Sequence, residues 1–219
     1  MFLTFEGIEG SGKSTIMERM AEHLHRQGLS VRMTREPGGT AFGKELRRLL
    51  LDLRSADFSA RAELLLFLAD RAQHVQEVIM PCLGEGTVLL CDRYADSTLA
   101  YQGYGRGMPL DRITRLIEFA TDGLWPDMTL LFDVPVELGL ARAWERNREE
   151  GAEVSEGRFE AERLEFHQRV RAGYLELAAQ HPGRYAVVDA SAPTDAVLRQ
   201  ALGLVLERLK GKACNARLR

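Results

Sequence analysis

One short segment near the start of the chain constrains the possible folds more than any other part of it. Residues 7–14 have the spacing G-x-x-x-x-G-K-[ST], after an extended apolar run at 1–5 and before a stretch whose apolar residues recur every four positions. Glycines without a Cβ allow a tight turn whose backbone N–H groups converge on an anion, and the following helix adds its positive dipole end. A strand, this loop and a helix in that order predict a nucleoside triphosphate site in an α/β fold.

The residue types in this loop indicate how the phosphates would be held. Lys13 carries an ammonium suited to the outer phosphates, and the Ser14 hydroxyl is suited to the Mg²⁺ that accompanies them. An accidental glycine-rich turn is the alternative interpretation, and the flanking strand and helix patterns disfavour it. The residues predicted to bind the nucleoside triphosphate are Gly7, Gly10, Ser11, Gly12, Lys13, Ser14 and Thr15.

Length and composition fit a single domain without a surface for nucleic acid or membrane. The chain has 219 residues, 45% of them hydrophobic, and its 29 basic and 32 acidic residues give a formal charge of -3. The N-terminus lacks a leader pattern and no apolar run reaches about 18 residues, so a soluble cytoplasmic protein is expected. Cys82, Cys91 and Cys214 have no metal-type spacing and are expected to be reduced thiols.

Apolar extended runs alternate with helical patterns along the chain. This alternation predicts a P-loop NTPase-type α/β fold, with a five-stranded parallel sheet flanked by helices. One domain is expected over residues 1–210, followed by a polar basic tail at 211–219. The predicted strands lie at 3–5, 31–34, 87–91, 128–132 and 185–188, and further helices at 41–53, 59–80, 110–120 and 194–209.

Residues 142–165 break this alternation, because more than half of them are charged. Two interpretations stay open for this segment. It can form a solvated helical hairpin with ion pairs between successive turns. Alternatively, a mobile lid at about 142–160 can close over a transferring phosphoryl group and exclude water, which the phosphate site favours. The arginines available to such a lid are Arg142, Arg146, Arg148 and Arg158.

Charged residues also follow the second and third predicted strands. Asp92 and Arg93 come directly after one buried strand, and Arg35 follows the other. Ligands of open α/β sheets bind at the edge where the strands end. Asp92 is expected to hold the metal's water shell, and the two arginines are expected to bind phosphate oxygens. Together with Lys13 they indicate two phosphate sites, a donor and an acceptor, whereas a GTPase switch needs only one.

A candidate nucleobase pocket lies on the helix predicted at 59–80. Phe67 and Arg71 are four positions apart and therefore share one face. An aromatic ring can stack on a base for about 1–3 kcal/mol. A guanidinium only donates hydrogen bonds, so the base should present an acceptor, as O4 of thymine or uracil does where cytosine has an amino donor. The alternative is that Phe67 belongs to the core and Arg71 is a solvated neighbour.

Several further blocks of sequence are distinctive: residues 34–40 (TREPGGT), 66–67 (LF), 92–94 (DRY), 97–103 (STLAYQG) and 174–177 (YLEL). With the phosphate-binding loop and its internal acid, they resemble the bacterial thymidylate kinases over nearly the whole chain. The resemblance implies transfer of the γ-phosphoryl group of ATP to dTMP with Mg²⁺, and a homodimer. Another nucleoside monophosphate kinase, acting on UMP or dUMP, and a non-enzymatic P-loop nucleotide-binding module are the alternatives.

The resemblance also implies roles for individual residues. Thymine would stack on Phe67, Tyr101 would crowd a 2′-hydroxyl and favour the deoxy sugar, and Glu9 would approach the sugar 3′-hydroxyl. The implied substrate-binding residues are Arg35, Phe67, Arg71, Arg93, Ser97, Thr98, Tyr101 and Gln102, with Ser14 and Asp92 at the metal.

The resemblance further implies an arginine that stabilises charge during the transfer. Some family members carry it in the loop directly after the acid, where this chain has Gly10, so the lid should supply it. Arg158 is the preferred choice, because residues 158–160 resemble the step that closes the family's lid, and Arg146 and Arg148 come next. The expected catalytic residues are Lys13, Arg93, Arg158 and Glu9.

Overall fold

The computed structural model describes residues 1–52, 58–149 and 157–216. The chain begins with β1 (Phe2–Glu6), α1 (Lys13–Arg26), β2 (Val31–Arg35), α2 (Ala41–Leu51) and α3 (Ala60–His74). A π-helical turn (Val75–Ile79) joins α3 to α4 (Met80–Gly84), and β3 (Val88–Asp92) and α5 (Ala95–Thr98) follow. A second π-helical turn (Leu99–Gly105) precedes α6 (Leu110–Thr121), β4 (Met128–Asp133), α7 (Val136–Glu149), α8 (Leu164–Gln180), β5 (Tyr185–Asp189) and α9 (Thr194–Ala216).

The five strands form one parallel sheet in the order β2-β3-β1-β4-β5. The central strands β1, β3 and β4 are almost wholly buried, whereas the edge strands β2 and β5 are partly exposed. Strands covered on both faces need near-continuous apolar sequence, which is the pattern that predicted them. The predicted fold class is confirmed, and every predicted strand agrees with the observed one to within one residue at each end.

The helices depart from prediction mainly at their ends. The helix predicted over 59–80 does not stop before Pro81, because helical structure continues through α4 to Gly84. Pro81 lies in the first turn of α4, where proline is tolerated best. At the other end of the chain, α9 passes the predicted end at 209 and reaches Ala216. In the parts of the chain that the structure describes, no helix is long and apolar enough to cross a membrane.

Two of the three cysteines lie in the core as free, buried thiols, as expected for Cys82 and Cys91. The side chain of Cys214 lies outside the described residues.

Parallel pairing brings the carboxyl ends of the strands to one edge of the sheet. Asp92, the last residue of β3, pairs with Phe5 of β1 on one side and with Arg35 of β2 on the other. The phosphate-binding loop therefore begins beside the acidic end of β3 and close to the basic end of β2. This edge is where ligands of open α/β sheets bind.

Candidate active site

The loop after β1 has the backbone conformation that its glycines predict. Gly10 and Gly12 have φ angles of 67° and 80°, in the left-handed region that favours glycine. Gly10 is also packed against the first turns of α7, so that a Cβ there would overlap the carbonyl oxygen of Gly139. An arginine at this position of the loop would collide with α7 as it lies here. This close approach gives a physical reason for the glycine that follows the loop acid.

The loop lysine is folded into its own loop. Its Nζ donates hydrogen bonds to the carbonyl oxygens of Gly7 and Ile8, at 3.1 and 2.9 Å, and to Ser11 Oγ at 3.3 Å. Burial, and then repulsion by Arg93, lower the pKa of Lys13 to about 8, against the opposing attraction of nearby carboxylates. In this conformation the ammonium is bound by oxygen atoms of its own loop. Phosphate oxygens would replace these acceptors when a nucleotide binds.

The two residues predicted to hold the metal meet at the edge of the sheet. Ser14 Oγ donates to Asp92 Oδ2 at 2.7 Å. The other carboxylate oxygen, Asp92 Oδ1, is buried and accepts no hydrogen bond from the described residues. Mg²⁺ usually takes one or two protein carboxylates and completes its shell with water and phosphate oxygens. The hydroxyl and the unpaired carboxylate oxygen fit that requirement.

Arg93 lies at the centre of a second cluster, beside the phosphate-binding loop. It donates to Glu9 Oε1 at 2.9 Å and lies over the Tyr101 ring, 4.9 Å from the centroid. The Tyr101 hydroxyl donates to the same Glu9 oxygen at 2.5 Å. Burial acts to raise the pKa of Glu9, but Arg93 and the hydrogen bonds to the carboxylate outweigh it and hold the pKa well below its usual value. The three predicted residues thus form one ionised, hydrogen-bonded unit.

A buried hydrogen-bond network around Glu6, which the sequence did not predict, lies next to the cluster of Arg93, Glu9 and Tyr101. Glu6 accepts hydrogen bonds from Ser97 Oγ at 2.6 Å, Tyr174 Oη at 2.8 Å and the Tyr94 backbone N–H at 2.8 Å. Burial and the nearby Asp96 raise the pKa of Glu6 to about 7. The signals for this network were present in the sequence, since Glu6 directly precedes the loop and Tyr174 opens the distinctive YLEL block. Their partners are far away along the chain, so pattern reasoning could not join them.

The base pocket is built on one face of α3. Phe67 is half-buried, and its ring centroid lies 6.1 Å from that of Phe159. Arg71 is 1% exposed and donates to Glu36 Oε2, Thr98 Oγ1 and the Tyr94 carbonyl oxygen, each at 2.8–2.9 Å. A solvated Arg71 is therefore excluded. Three of its five N–H groups are used by the protein, which leaves two for a ligand.

The charged segment predicted as a lid divides into three parts. Residues 142–149 belong to α7, and residues 150–156 lie outside the described residues. Residues 157–163 then lead to α8, which begins at Leu164. Arg146 and Arg148 line the cleft, and Arg146 lies 3.8 Å from Glu160. Arg142 instead donates to the Ala190 carbonyl oxygen at 2.8 Å, after β5.

Arg158, the preferred transfer-stabilising arginine, is held by groups outside the phosphate-binding loop. Its side chain is 5% exposed and donates to Glu63 Oε2 at 2.6 Å and to the Leu50 carbonyl oxygen at 3.2 Å. It is not among the residues that line the cleft, whereas its neighbours Gly157 and Phe159 are. A buried carboxylate and a carbonyl oxygen each accept one hydrogen bond from it, and the local sequence does not indicate this tertiary pairing.

One cleft of about 1540 Å³ joins the loop, the arginines and the base pocket. Pockets for single ligands usually measure about 300–1,000 Å³, so this cleft has room for two nucleotides. Arg35 is exposed on its wall, while Gly7 and Ser11 of the loop are buried and do not line the cleft. The predicted residues that line the cleft are Glu9, Gly10, Gly12, Lys13, Ser14, Thr15, Arg35, Phe67, Arg71, Asp92, Arg93, Ser97, Thr98, Tyr101, Gln102, Arg146 and Arg148.

The strand, loop and helix at the N-terminus, with an acid at the end of the adjacent parallel strand, define a nucleotide-binding protein of the P-loop NTPase fold. Comparison with known proteins narrows this class. A family model described as thymidylate kinase matches residues 5–201, and the chain belongs to that family.

Relatives and a solved structure agree over nearly the whole chain. The thymidylate kinase of Nitratidesulfovibrio vulgaris (strain DSM 19637 / Miyazaki F) is 56% identical over 213 residues, covering 97% of this chain and 99% of that protein. The thymidylate kinase of Desulfovibrio desulfuricans is 56% identical over 200 residues, covering 91% and 92%. A crystal structure of thymidylate kinase from Ehrlichia chaffeensis superposes with a TM-score of 0.73 at 32% identity, covering 94% of this chain and 98% of that one.

Proposed function

We propose that the protein transfers the γ-phosphoryl group of ATP to dTMP, giving ADP and dTDP. A single cleft that joins a phosphate-binding loop to a second group of arginines and a base pocket carries this proposal. An oxygen of the dTMP phosphate attacks the γ-phosphorus, and the bond from that phosphorus to the oxygen bridging to ADP breaks. The attacking oxygen is already nucleophilic, so the protein contributes positioning and charge stabilisation.

The donor half of the cleft is assigned to ATP. Lys13 exchanges its contacts with the loop carbonyl oxygens for the outer phosphate oxygens, and the loop N–H groups hold the same phosphates. Ser14 and Asp92 would hold Mg²⁺, which neutralises charge on the β- and γ-phosphates when bound. The unpaired oxygen of Asp92 supports this assignment.

The acceptor half is assigned to dTMP. We assign Arg93 and Arg35 to the monophosphate. Arg93 and Tyr101 both donate hydrogen bonds to Glu9 Oε1 and so fix the position of this carboxylate. Tyr101 is 5% exposed and lies edge-on to the Tyr174 ring, so it has little freedom to move away from a 2′-hydroxyl. The same cleft is lined by Phe67, Arg71, Ser97, Thr98 and Gln102, which we assign to the base and sugar.

The lid arginine is assigned to Arg146 or Arg148. Both line the cleft, and both are carried by α7, whose first turns touch the loop at Gly10. Arg158 is assigned a structural role, because its buried side chain donates to Glu63 and to the Leu50 carbonyl oxygen and does not line the cleft. This assignment replaces the sequence-based preference for Arg158.

Turnover of different acceptors tests the reaction. With ATP and Mg²⁺, we expect kcat/KM for dTMP to exceed the values for dUMP, UMP and dCMP. A preference for UMP or another ribonucleotide would favour a different nucleoside monophosphate kinase. ATP consumption that does not depend on any acceptor would favour a nucleotide-binding module without this activity.

We also propose that the protein is a homodimer. The neighbouring helices α2, α3 and α6 carry exposed apolar side chains, with Phe119 at 86% and Leu65 at 57%. Such a concentration is typical of a protein–protein interface. Sedimentation velocity should give a dimer for the wild type and a monomer for Leu65→Glu. Leu175→Glu on α8 is the matched control and should stay dimeric, while a monomeric wild type would contradict the proposal.

The remaining assignments concern organisation and place of action. We propose one nucleoside monophosphate kinase domain over residues 1–210, with a lid at about 142–160 and a tail at 211–219, and a cytoplasmic protein that binds neither nucleic acid nor membrane. The family match over 5–201 and the formal charge of -3 support these assignments. Limited proteolysis that leaves a core ending near residue 210 would support the tail boundary, whereas protection of α9 through Ala216 would contradict it.

A further inference from the structure

Two hydrogen bonds, one on each side of Phe67 along α3, join this helix to the helical residues 95–105 that follow β3. Glu63, Phe67 and Arg71 are spaced by four and share one face of α3. Arg71 donates to Thr98 Oγ1 at 2.9 Å, and Gln102 Nε2 donates to Glu63 Oε1 at 2.8 Å. The ring expected to stack on the base therefore has an arginine on one side and an amide on the other.

Glu63 is held as a carboxylate. It is 1% exposed. Its carboxylate oxygens accept hydrogen bonds from Arg158 at 2.6 Å and from Arg106 at 3.2–3.3 Å. Burial acts to raise the pKa of Glu63, but the hydrogen bond from Gln102 and the two arginines outweigh it and lower the pKa below its usual value. An ionised carboxylate accepts hydrogen bonds and cannot donate them.

This ionisation fixes the orientation of the Gln102 amide. Because the carboxylate only accepts, the amide must turn its NH₂ group toward Glu63, as the 2.8 Å contact records. Its carbonyl oxygen is then the free end, and it accepts no hydrogen bond within the described ranges. Gln102 lines the same cleft as Phe67 and Arg71. The base pocket thus presents a donor from Arg71 and an acceptor from Gln102.

We infer that Glu63, which does not line the cleft, is a positioning residue that sets base specificity by fixing the Gln102 carbonyl oxygen toward the base. This inference rests on the proposed function. Thymine offers an acceptor at O4 and a donor at N3, which match the two protein groups. Cytosine has an amino donor where thymine has O4, and this donor would face the Arg71 donor. Its unprotonated N3 is an acceptor and would face the Gln102 carbonyl oxygen. A flipped amide would set its NH₂ group against the N3–H of thymine.

The Glu63→Gln variant tests the inference through the ratio of kcat/KM for dTMP to kcat/KM for dCMP. A neutral amide can donate or accept, so Gln102 is free to flip. Since a mismatched buried hydrogen bond costs about 1–3 kcal/mol, the ratio should fall by about 5- to 150-fold, mainly through KM for dTMP. A purely structural role would lower both values by the same factor, and an unchanged ratio would overturn the inference.

Glu162→Gln is the matched control. Glu162 pairs with Arg106 at 2.6 Å, as Glu63 does with the same arginine, but it makes no contact with Gln102. Its ratio should equal that of the wild type. If E162Q lowers the ratio as much as E63Q, loss of the Arg106 ion pair explains both and the inference fails.

A double-mutant cycle tests whether Glu63 acts through Gln102. In a Gln102→Met background, E63Q should not change the ratio further, whereas an equal second fall would overturn the inference. If E63Q does not fold, Glu63→Asp takes its place in the cycle, because the shorter side chain withdraws the carboxylate while keeping its charge. A wild type that does not prefer dTMP would contradict the proposed function itself. A dTMP-specific wild type with an unchanged E63Q ratio would contradict only the inference.

Discussion

Replacing Phe67 with alanine should weaken dTMP binding strongly and ATP binding hardly at all. Stacking of a base on an aromatic ring is worth about 1–3 kcal/mol, which corresponds to about a 5- to 150-fold increase in Kd. Phe67 is half-buried beside Phe159, so the substitution also removes packing. A fully buried phenylalanine costs about 3–5 kcal/mol when truncated, and we expect about 1–3 kcal/mol here, with a fall in Tm of about 3–10 °C.

Isothermal titration calorimetry with dTMP and with a non-hydrolysable ATP analogue separates these effects. Phe67→Leu is the control, because it keeps apolar volume and loses only the aromatic face. It should lose dTMP affinity nearly as Phe67→Ala does, while its Tm stays closer to that of the wild type. Parallel losses for dTMP and the analogue, or unchanged dTMP binding in both variants, would refute the stacking role and make Phe67 a core residue.

Three further predictions concern the donor half and the lid. Removing both Arg146 and Arg148 should lower kcat by about 10³ or more with dTMP affinity nearly unchanged, and a kcat within tenfold of wild type would exclude them. Because phosphates favour the charged form of Lys13, whose pKa in the free protein is about 8, ATP binding above pH 8 should take up protons. Calorimetry in buffers of different ionisation enthalpy measures this uptake, which should vanish below about pH 7 and in Lys13→Arg. Asp92→Asn should raise the Mg²⁺ concentration for half-maximal rate by at least about tenfold, and an unchanged requirement would remove Asp92 from the metal site.

The fold could be predicted closely because its signals are local. Each buried strand is an apolar run of four to six residues, and the loop after β1 has a spacing that few other structures require. The helix that passes Pro81 was the main error, since a π-helical turn directly before it lets helical structure continue. No residue pattern in the sequence predicts such a turn.

The sequence predicts which residues meet at the carboxyl ends of the strands. It predicts only part of the contacts made by the other residues of the candidate site. Lys13, Asp92 and Arg93 follow or flank strands, so the parallel sheet alone brings them together. The pairing of Arg158 with Glu63 could not be predicted, because Glu63 lies 95 positions away in sequence. The same holds for Glu6 and Tyr174, whose contact spans 168 positions. Distant charge pairing is decided by packing, and one sequence does not reveal it.

The central claim is direct transfer of a phosphoryl group between two nucleotides bound in one cleft. Incubating the protein with Mg²⁺, dTMP and ATP labelled with ³²P in the γ-phosphate tests it most directly. We expect the label in the β-phosphate of dTDP, in an amount equal to the ADP formed. Label released as inorganic phosphate while dTMP remains unphosphorylated would contradict the account.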